Sequence, residues 1–308
     1  MTYLDDIQKR LIAEVADLHS VPEGAYSLRA NGESVEMHSS ANIVIEKKTD
    51  KPGIDIYVAD GTKNESMHIP VIISQTGITE LVYNDFHIGK DCNVTIIAGC
   101  GIHNCGDQRS EHDGIHTFYV GERSIVRYVE KHYGEGDGNG ERILNPTTVI
   151  NLEKDSTLEM DSVQIKGVDS TLRTTKAVIG DGATLIIKEK IMTHGKQHAE
   201  TDFSVDLNGE GSSTRLVSRS VARDSSTQLF RSNINGNNRC HGHSECDGII
   251  MDNGKVAAIP EINANHVDAT LIHEAAIGKI AGEQLTKLMS LGLTETEAEN
   301  MIINGFLK

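Results

Sequence analysis

A four-residue motif that recurs along the middle of the chain is the feature that most limits its possible folds. Each copy is a small polar turn that leads into a short strand. The five copies are Asp155-Ser-Thr-Leu158, Asp169-Ser-Thr-Leu172, Gly182-Ala-Thr-Leu185, Ser213-Thr-Arg-Leu216 and Ser226-Thr-Gln-Leu229. A repeated turn–strand unit is typical of stacked coils, in which each rung buries its apolar side chains on its neighbour. We therefore predict a β-solenoid. The leucines are spaced irregularly, by 14, 13, 31 and 13 residues, so a sandwich or barrel is an alternative.

Hydrophobic periodicity divides the chain into three parts. Near the N-terminus, apolar residues recur at helical spacing: Leu4, Ile7, Leu11, Val15 and Leu18. From about residue 33 to 260 the period is two, which indicates short strands. Helical patterns return at 271–280 and 283–291, and Thr294-Glu-Thr-Glu297 has the form of a capping box. We predict an N-terminal helix and linker at 1–32, a β core at 33–262 and a helical tail at 263–308.

Composition excludes several classes of protein. The 308 residues carry 29 basic and 45 acidic side chains, a net charge of −16, which is unfavourable for binding nucleic acid or anionic membranes. Aromatic residues make up 4% and tryptophan is absent, so the stacking platforms of sugar-binding enzymes are scarce. The sequence contains no P-loop motif and no apolar leader, and we expect a cytoplasmic protein without a nucleotide site of its own.

Two segments concentrate cysteine and histidine. The first runs from Cys100 to His116 and includes Cys105, His103 and His112, and the second runs from Cys240 to Asp247 and includes Cys246. Thiolates bind iron and zinc well, but neither spacing is a standard zinc-finger or ferredoxin signature. These cysteines are therefore either metal ligands or buried structural thiols, and each histidine is either a ligand or a structural group. Cys92 lies in an alternating strand and is predicted to be core.

Several segments together resemble one protein family. They are Cys105–His116, Ser218–Ala222, Glu245–Met251, Pro260–Ile262, His273–Ile280, Gln284-Leu285 and Met301–Phe306. In these segments the chain resembles the SufB/SufD family of iron–sulfur cluster assembly scaffolds, in the short two-component form. The resemblance implies a mainly β protein with a right-handed parallel β-helix core, a short N-terminal helix and a helical C-terminal region. It also implies a homodimer paired through the β-helix cores.

The resemblance further implies a partner, an ABC-type ATPase called SufC that docks on the C-terminal region and rearranges it on binding ATP. The residues that correspond to this contact are His273, Glu274, Lys279, Gln284 and Leu285. A sulfur donor, such as a cysteine desulfurase, and apo iron–sulfur proteins are the other expected partners.

The expected function is a non-catalytic scaffold that assembles and transfers a [4Fe–4S] cluster. The candidate ligands are Cys100, Cys105, Cys240 and Cys246, with Glu274 or His273 at an exchangeable position. Cys240, beside His241 and His243, is a candidate to carry persulfide. The sequence departs from the longer bacterial members, because no cysteine follows Cys246. A zinc-stabilised structural or interaction protein and a β-helix polysaccharide enzyme are alternatives.

Overall fold

The computed structural model describes residues 4–308, which form twenty strands and three helices. The helices are α1 Asp6–Ala16, α2 Gly282–Ser290 and α3 Glu295–Phe306. The strands are β1 Ala25–Ala30, β2 Glu33–His38, β3 Ile43–Lys47, β4 Gly53–Val58, β5 Lys63–Ile73, β6 Thr79–Ile88, β7 Asn93–His103, β8 Ser110–Val120, β9 Ile125–Glu135, β10 Arg142–Leu144, β11 Thr147–Leu152, β12 Thr157–Lys166, β13 Ser170–Ile179, β14 Thr184–Thr193, β15 His198–Leu207, β16 Ser213–Ala222, β17 Thr227–Gly236, β18 His241–Ile250, β19 Lys255–Ala264 and β20 Thr270–Gly278. Among these described residues, no helix is long and apolar enough to cross a membrane.

The strands form an eight-turn parallel β-solenoid, which confirms the prediction and excludes the sandwich and the barrel. One sheet has the order β2-β1-β5-β7-β9-β12-β14-β16-β18-β20, and we call it sheet A. The facing sheet B has the order β19-β17-β15-β13-β10-β8-β6-β4-β3, and β11 pairs with β13 and β8. Apart from the antiparallel pairs β1–β2 and β3–β4, the ladders are parallel, so successive coils stack in register.

The recurring motif marks the corner at which the chain enters a strand. Asp155 and Gly182 both adopt positive φ, at 57° and 62°, a conformation that glycine and aspartate tolerate best. The residue that follows, Ser156 or Ala183, is completely buried. In sheet A these small residues stack from coil to coil in a corner column, whose fully buried members are Cys92, Ser124, Ser156, Ala183, Ser212 and Cys240.

The interior has an apolar side and a polar side. On strand β9, Val126 and Tyr128 come first, and Glu130 and His132 follow. The order is reversed on sheet B, where His112 and His116 precede Phe118 on strand β8. The strands of the two sheets run in opposite directions around each coil. The apolar halves of facing strands therefore lie opposite each other, as do the polar halves, and a row of buried polar side chains extends along the solenoid.

Helix α1 forms as predicted and packs on the outer face of sheet A. Asp5 caps it through a reciprocal capping box with Gln8. Leu11 and Val15 are buried against strand β7, where Gly101 and Gly99 leave room for them. A Cβ atom at Gly99 would lie 2.3 Å from the Val15 carbonyl oxygen, so only glycine permits this close approach.

The helix predicted at 271–280 is wrong, because these residues belong to strand β20 and the connection that follows it. Strand β20 pairs in parallel with β18, with His241 opposite Thr270. Asp268-Ala-Thr-Leu271 is a further copy of the corner motif. Pairing with the free edge of β18 stabilises the strand more than the helical propensity of the alanines that follow stabilises a helix. Strands consequently extend from residue 25 to 278, beyond the predicted core bounds of 33 and 262. Helices α2 and α3 follow, and Thr294 and Glu297 form the predicted capping box.

Candidate metal-binding sites

Three oxygen and nitrogen donors meet on the outer face of sheet A at its C-terminal edge. His243 and Glu245 lie two residues apart on β18, so both side chains point outward. Glu274, on β20, stands directly opposite Glu245 in the ladder. One donor atom from each of these three side chains lies within 4.8 Å of the other two, and His243 Nε2 is 3.2 Å from Glu274 Oε2. We call this group the edge cluster.

Acidic groups dominate the surroundings of the edge cluster. Asp247 follows Glu245 on the same face of β18, and its pKa is raised by partial burial and by the charge of Glu245. The cation nearest to Glu245 is Arg215, whose Nη2 lies 3.4 Å from Glu245 Oε2. Imidazole and carboxylate donors on a partly exposed face suit divalent iron or zinc and leave coordination positions open for a further ligand.

A second group of ionisable side chains is buried inside the solenoid around Cys100. Cys100 and His132 are neighbours in the ladder between β7 and β9, and His112 and His116 reach the same region from β8. With Gly114, Glu130, Leu144 and Pro146, these side chains line a cavity of about 10 Å³, enough for about one water molecule. We call this group the interior cluster.

The interior cluster shifts the pKa values of its members strongly. Burial raises the pKa of the Cys100 thiol, but the neighbouring His112 and His132 outweigh this and lower it to about 7. For His112 burial lowers the pKa, and the opposing effect of Cys100 and Glu80 raises it to about 10. His132 is raised to about 9, because the charge of Glu130 outweighs burial. For His116, burial together with the charges of His112 and His132 outweighs Glu130 and lowers the pKa to about 4.

The structure does not bring the four predicted cysteine ligands together within one chain. Cys100 and Cys246 lie on β7 and β18, five strand positions apart in sheet A, or about 24 Å at the usual strand spacing. Cys240, directly before β18, and Cys246, on β18, are both buried but are six residues apart along extended chain, about 20 Å. Cys105 is exposed beyond the end of β7, where its Sγ lies 3.0 Å from His103 Nε2. The four sulfurs of one chain are therefore too far apart to hold one cluster. A cluster with these four cysteine ligands stays a prediction for an assembly of several chains.

Two of these cysteines have local structural explanations. Cys240 occupies the corner column, in the position that Ser212 fills one coil earlier, and burial raises the pKa of its thiol. Burial and the charges of Glu189 and Asp247 raise the pKa of the Cys246 thiol to about 12. Both thiols are therefore protonated at neutral pH. Cys92 is also in the corner column, in agreement with its prediction as core.

Of the predicted non-sulfur ligands, only Glu274 joins the edge cluster. His273 precedes it on β20, and its side chain points to the opposite face of the sheet. Burial lowers the pKa of His273. Sequence reasoning missed His243 and Glu245 as ligands, although their i, i+2 spacing on a strand places them on one face. The predicted docking residues Gln284 and Leu285 lie on α2, and Lys279 lies between β20 and α2.

The fold and these donors define a parallel β-solenoid with a candidate metal-binding group at its end coil. The sequence profile of the SUF system FeS cluster assembly SufBD core domain matches residues 75–306. The chain belongs to the SufBD family of iron–sulfur cluster assembly.

Curated archaeal relatives carry the name iron–sulfur cluster assembly SufBD family protein. The protein of Methanothermobacter thermautotrophicus is 29% identical over 244 residues, covering 77% of this chain and 57% of the relative. Those of Methanocaldococcus jannaschii and Pyrococcus horikoshii are 25% and 27% identical, covering 89% and 96% of this chain and 87% and 84% of the relatives. The chain thus spans little more than half of the Methanothermobacter relative and most of the other two.

Proposed function

We propose that this protein is a non-catalytic cytoplasmic scaffold on which an iron–sulfur cluster, of the [4Fe–4S] type, is assembled and from which it is transferred. The observation that carries the proposal is the edge cluster. His243, Glu245 and Glu274 form a partly exposed donor set on a chain of the SufBD family. Oxygen and nitrogen donors hold iron less tightly than a full set of thiolates, which suits a site that must release its cargo.

We propose that the end coil pairs with a second copy of the chain. Among the strands that the structure describes, β19 and β20 each have a neighbour on one side only, and they expose Ile259, Ile262 and Ile272 by 52%, 42% and 49%. Free edges with apolar side chains are templates for pairing. A dimer formed there brings two edge clusters to the same end of the assembly and allows further ligands to come from the partner.

We propose that an ABC-type ATPase docks on helices α2 and α3. Met289 on α2, Leu291 directly after α2 and Met301 on α3 are exposed by 44%, 76% and 51%, an apolar surface suited to a protein partner. Arg219 Nη1 donates to the Phe306 carbonyl oxygen, and Lys190 Nζ donates to that of Lys308, so the end of α3 contacts sheet A close to the edge cluster. Movement of α2 and α3 would therefore displace side chains close to the edge cluster.

The test of the scaffold is anaerobic reconstitution with ferrous iron and sulfide, followed by transfer of the cluster to an apo-ferredoxin. His243→Ala combined with Glu274→Ala should lower iron content and transfer by about tenfold or more, because two of three donors are lost. The matched control is His198→Ala with Glu200→Ala. This pair has the same His-x-Glu spacing, with 3.8 Å between His198 Nε2 and Glu200 Oε2, but lies on sheet B.

Equal loss in both variants, or no loss in either, would contradict the assignment of the edge cluster. Zinc in place of iron in the anaerobically purified protein would support the zinc-stabilised alternative.

For the dimer, Ile262→Lys should convert the protein to monomers in sedimentation experiments. For the ATPase, Leu291→Asp should abolish co-purification with it while leaving the dimer intact.

A further inference from the structure

The imidazole groups of the interior cluster are arranged as metal ligands usually are. His112 directs its Nδ1 to Glu80 Oε1 at 3.0 Å, and His116 directs its Nδ1 to the Tyr128 hydroxyl at 2.8 Å. His132 Nδ1 lies 3.3 Å from Gln164 Oε1 and 3.3 Å from Arg173 Nη2. Metal-bound histidines almost always use the second ring nitrogen in this way, which fixes the orientation of the first.

The hydrogen bonds of His116 determine its tautomer. The Tyr128 hydroxyl donates to Glu130 Oε1 at 2.9 Å, so its oxygen must accept from His116 Nδ1–H. His116 Nε2 is then unprotonated, and it accepts from the Asn84 side-chain amide at 3.3 Å. The Nε2 lone pair therefore lies on the side of the ring that faces the cavity, where a bound ion would replace the hydrogen bond from Asn84.

Gly114 leaves the space into which two of these nitrogens point. A Cβ atom built on Gly114 would lie 3.3 Å from His112 Nε2 and 3.3 Å from His116 Nε2. Both histidines flank Gly114 on the same strand, and Cys100 and His132 close the cavity from sheet A. A space of one water molecule admits a single ion but no organic substrate.

The donors left for an ion in the cavity are one sulfur and three imidazoles, because the nearby carboxylates are already paired. Arg29 Nε lies 2.6 Å from Glu80 Oε2, and Arg173 Nη1 lies 2.7 Å from Glu130 Oε2, so both carboxylates already have partners. The sulfur of Cys100 has imidazole neighbours instead, which become neutral donors when they lose a proton. One thiolate with neutral imidazoles is the donor set preferred by zinc and by divalent iron, and it is unsuited to magnesium or calcium.

We propose that the interior cluster is a binding site for one divalent transition-metal ion, Zn²⁺ or Fe²⁺, with Cys100, His112, His116 and His132 as its ligands. Binding forms one metal–sulfur bond and three metal–nitrogen bonds, and the protons on the ligand nitrogens of His112 and His132, and on Cys100 where it is still a thiol, pass to solvent. Among the described residues, no three donors of this cluster lie within 4.8 Å of one another, so the ion must draw the side chains inward. This site is separate from the edge cluster and does not depend on the function proposed for it.

Cobalt(II) alone is the probe, because a cobalt–thiolate bond gives a charge-transfer absorption that oxygen and nitrogen ligands do not give. The parent protein for the titration is the His243→Ala, Glu274→Ala variant, in which the edge cluster cannot contribute. We expect one Co²⁺ per chain with a thiolate band. Cys100→Ser should lose the band, whereas Cys105→Ser and Cys246→Ser should keep it.

Gly114→Ala gives an independent test, because its methyl group would occupy the cavity without changing any ligand. The φ angle of Gly114 lies outside the left-handed region, so the backbone accepts alanine. We expect a folded protein, verified by circular dichroism, with at least a tenfold loss of cobalt affinity. The absence of a thiolate band in the parent, its persistence in Cys100→Ser, or full cobalt affinity in Gly114→Ala would each overturn the proposal.

Discussion

Replacement of Arg173 by methionine tests whether charge pairing holds the polar side of the interior together. Arg173 Nη1 donates to Glu130 Oε2 at 2.7 Å, and Arg173 Nε lies 3.3 Å from Glu189 Oε1. All three side chains are buried. Methionine preserves much of the side-chain volume but leaves Glu130 without its arginine partner. Breaking a buried pair from one side costs about 3–5 kcal/mol, and we expect a loss of that size in the free energy of unfolding at pH 7.

The pH dependence of this loss follows from the pKa of Glu130. Burial alone would raise that pKa, but His132 and Arg173 outweigh burial and hold it well below its ordinary value of 4.5. A carboxyl group with a lowered pKa stabilises the fold above its unfolded pKa, and this contribution disappears as the pH falls through the folded value. Without Arg173, Glu130 takes up a proton more readily. The difference between the wild type and the variant should therefore shrink from pH 7 towards pH 4.

The measurement is urea unfolding followed by circular dichroism at several pH values. Arg127→Met is the matched control, because Arg127 is 60% exposed and lies 3.4 Å from Asp161, so its loss should cost less than about 0.5 kcal/mol. Adding Glu130→Gln to Arg173→Met should recover part of the loss. A cost below about 1 kcal/mol for Arg173→Met, or one that grows as the pH falls, would refute the reasoning.

Two further predictions concern packing and thiol reactivity. Gly134→Ala should destabilise the protein by about 3 kcal/mol in urea unfolding, because its Cβ would lie 2.0 Å from the Gly167 carbonyl oxygen. A Cβ at Gly278 meets no described atom within 4 Å, so Gly278→Ala should leave the free energy of unfolding unchanged. Equal effects of the two substitutions would contradict this prediction. Iodoacetamide at pH 8 should modify the exposed Cys105 first in the native protein, and should modify Cys246, with its pKa of about 12, only after unfolding. Mass spectrometry of the labelled peptides gives the order of modification, and labelling of Cys246 before Cys105 would contradict the prediction.

Patterns carried by neighbouring residues were predictable from the sequence. The apolar spacing of α1 and the capping box at Thr294 depend on local periodicity and local hydrogen bonds, and both were correct. The corner motif indicated the solenoid for the same reason. Residues 271–280 were misassigned because strand β20 owes its conformation to the edge of β18, a partner almost thirty residues earlier in the chain.

The candidate sites were harder to predict because they combine strands from different coils. Glu80 and His112 face each other across a ladder, and His132 is the ladder neighbour of Cys100, contacts that no local spacing reveals. The sequence left open whether Cys240 and Cys246, six residues apart, are metal ligands or structural thiols. In a strand the same separation keeps them far apart, so the secondary structure had to be known before the cysteines could be interpreted.

The one-sided pairing of β19 and β20 has a consequence for dynamics. In a stack of coils each unit is stabilised mainly by the units above and below it, so a terminal unit with a single neighbour opens at lower free energy than the rest. Amide hydrogen exchange should accordingly be fastest in the last coil of an isolated chain. Local fraying of that coil would separate Glu274 from His243 while the remainder of the stack stays intact, and an ion held at the proposed edge site would be released by this opening.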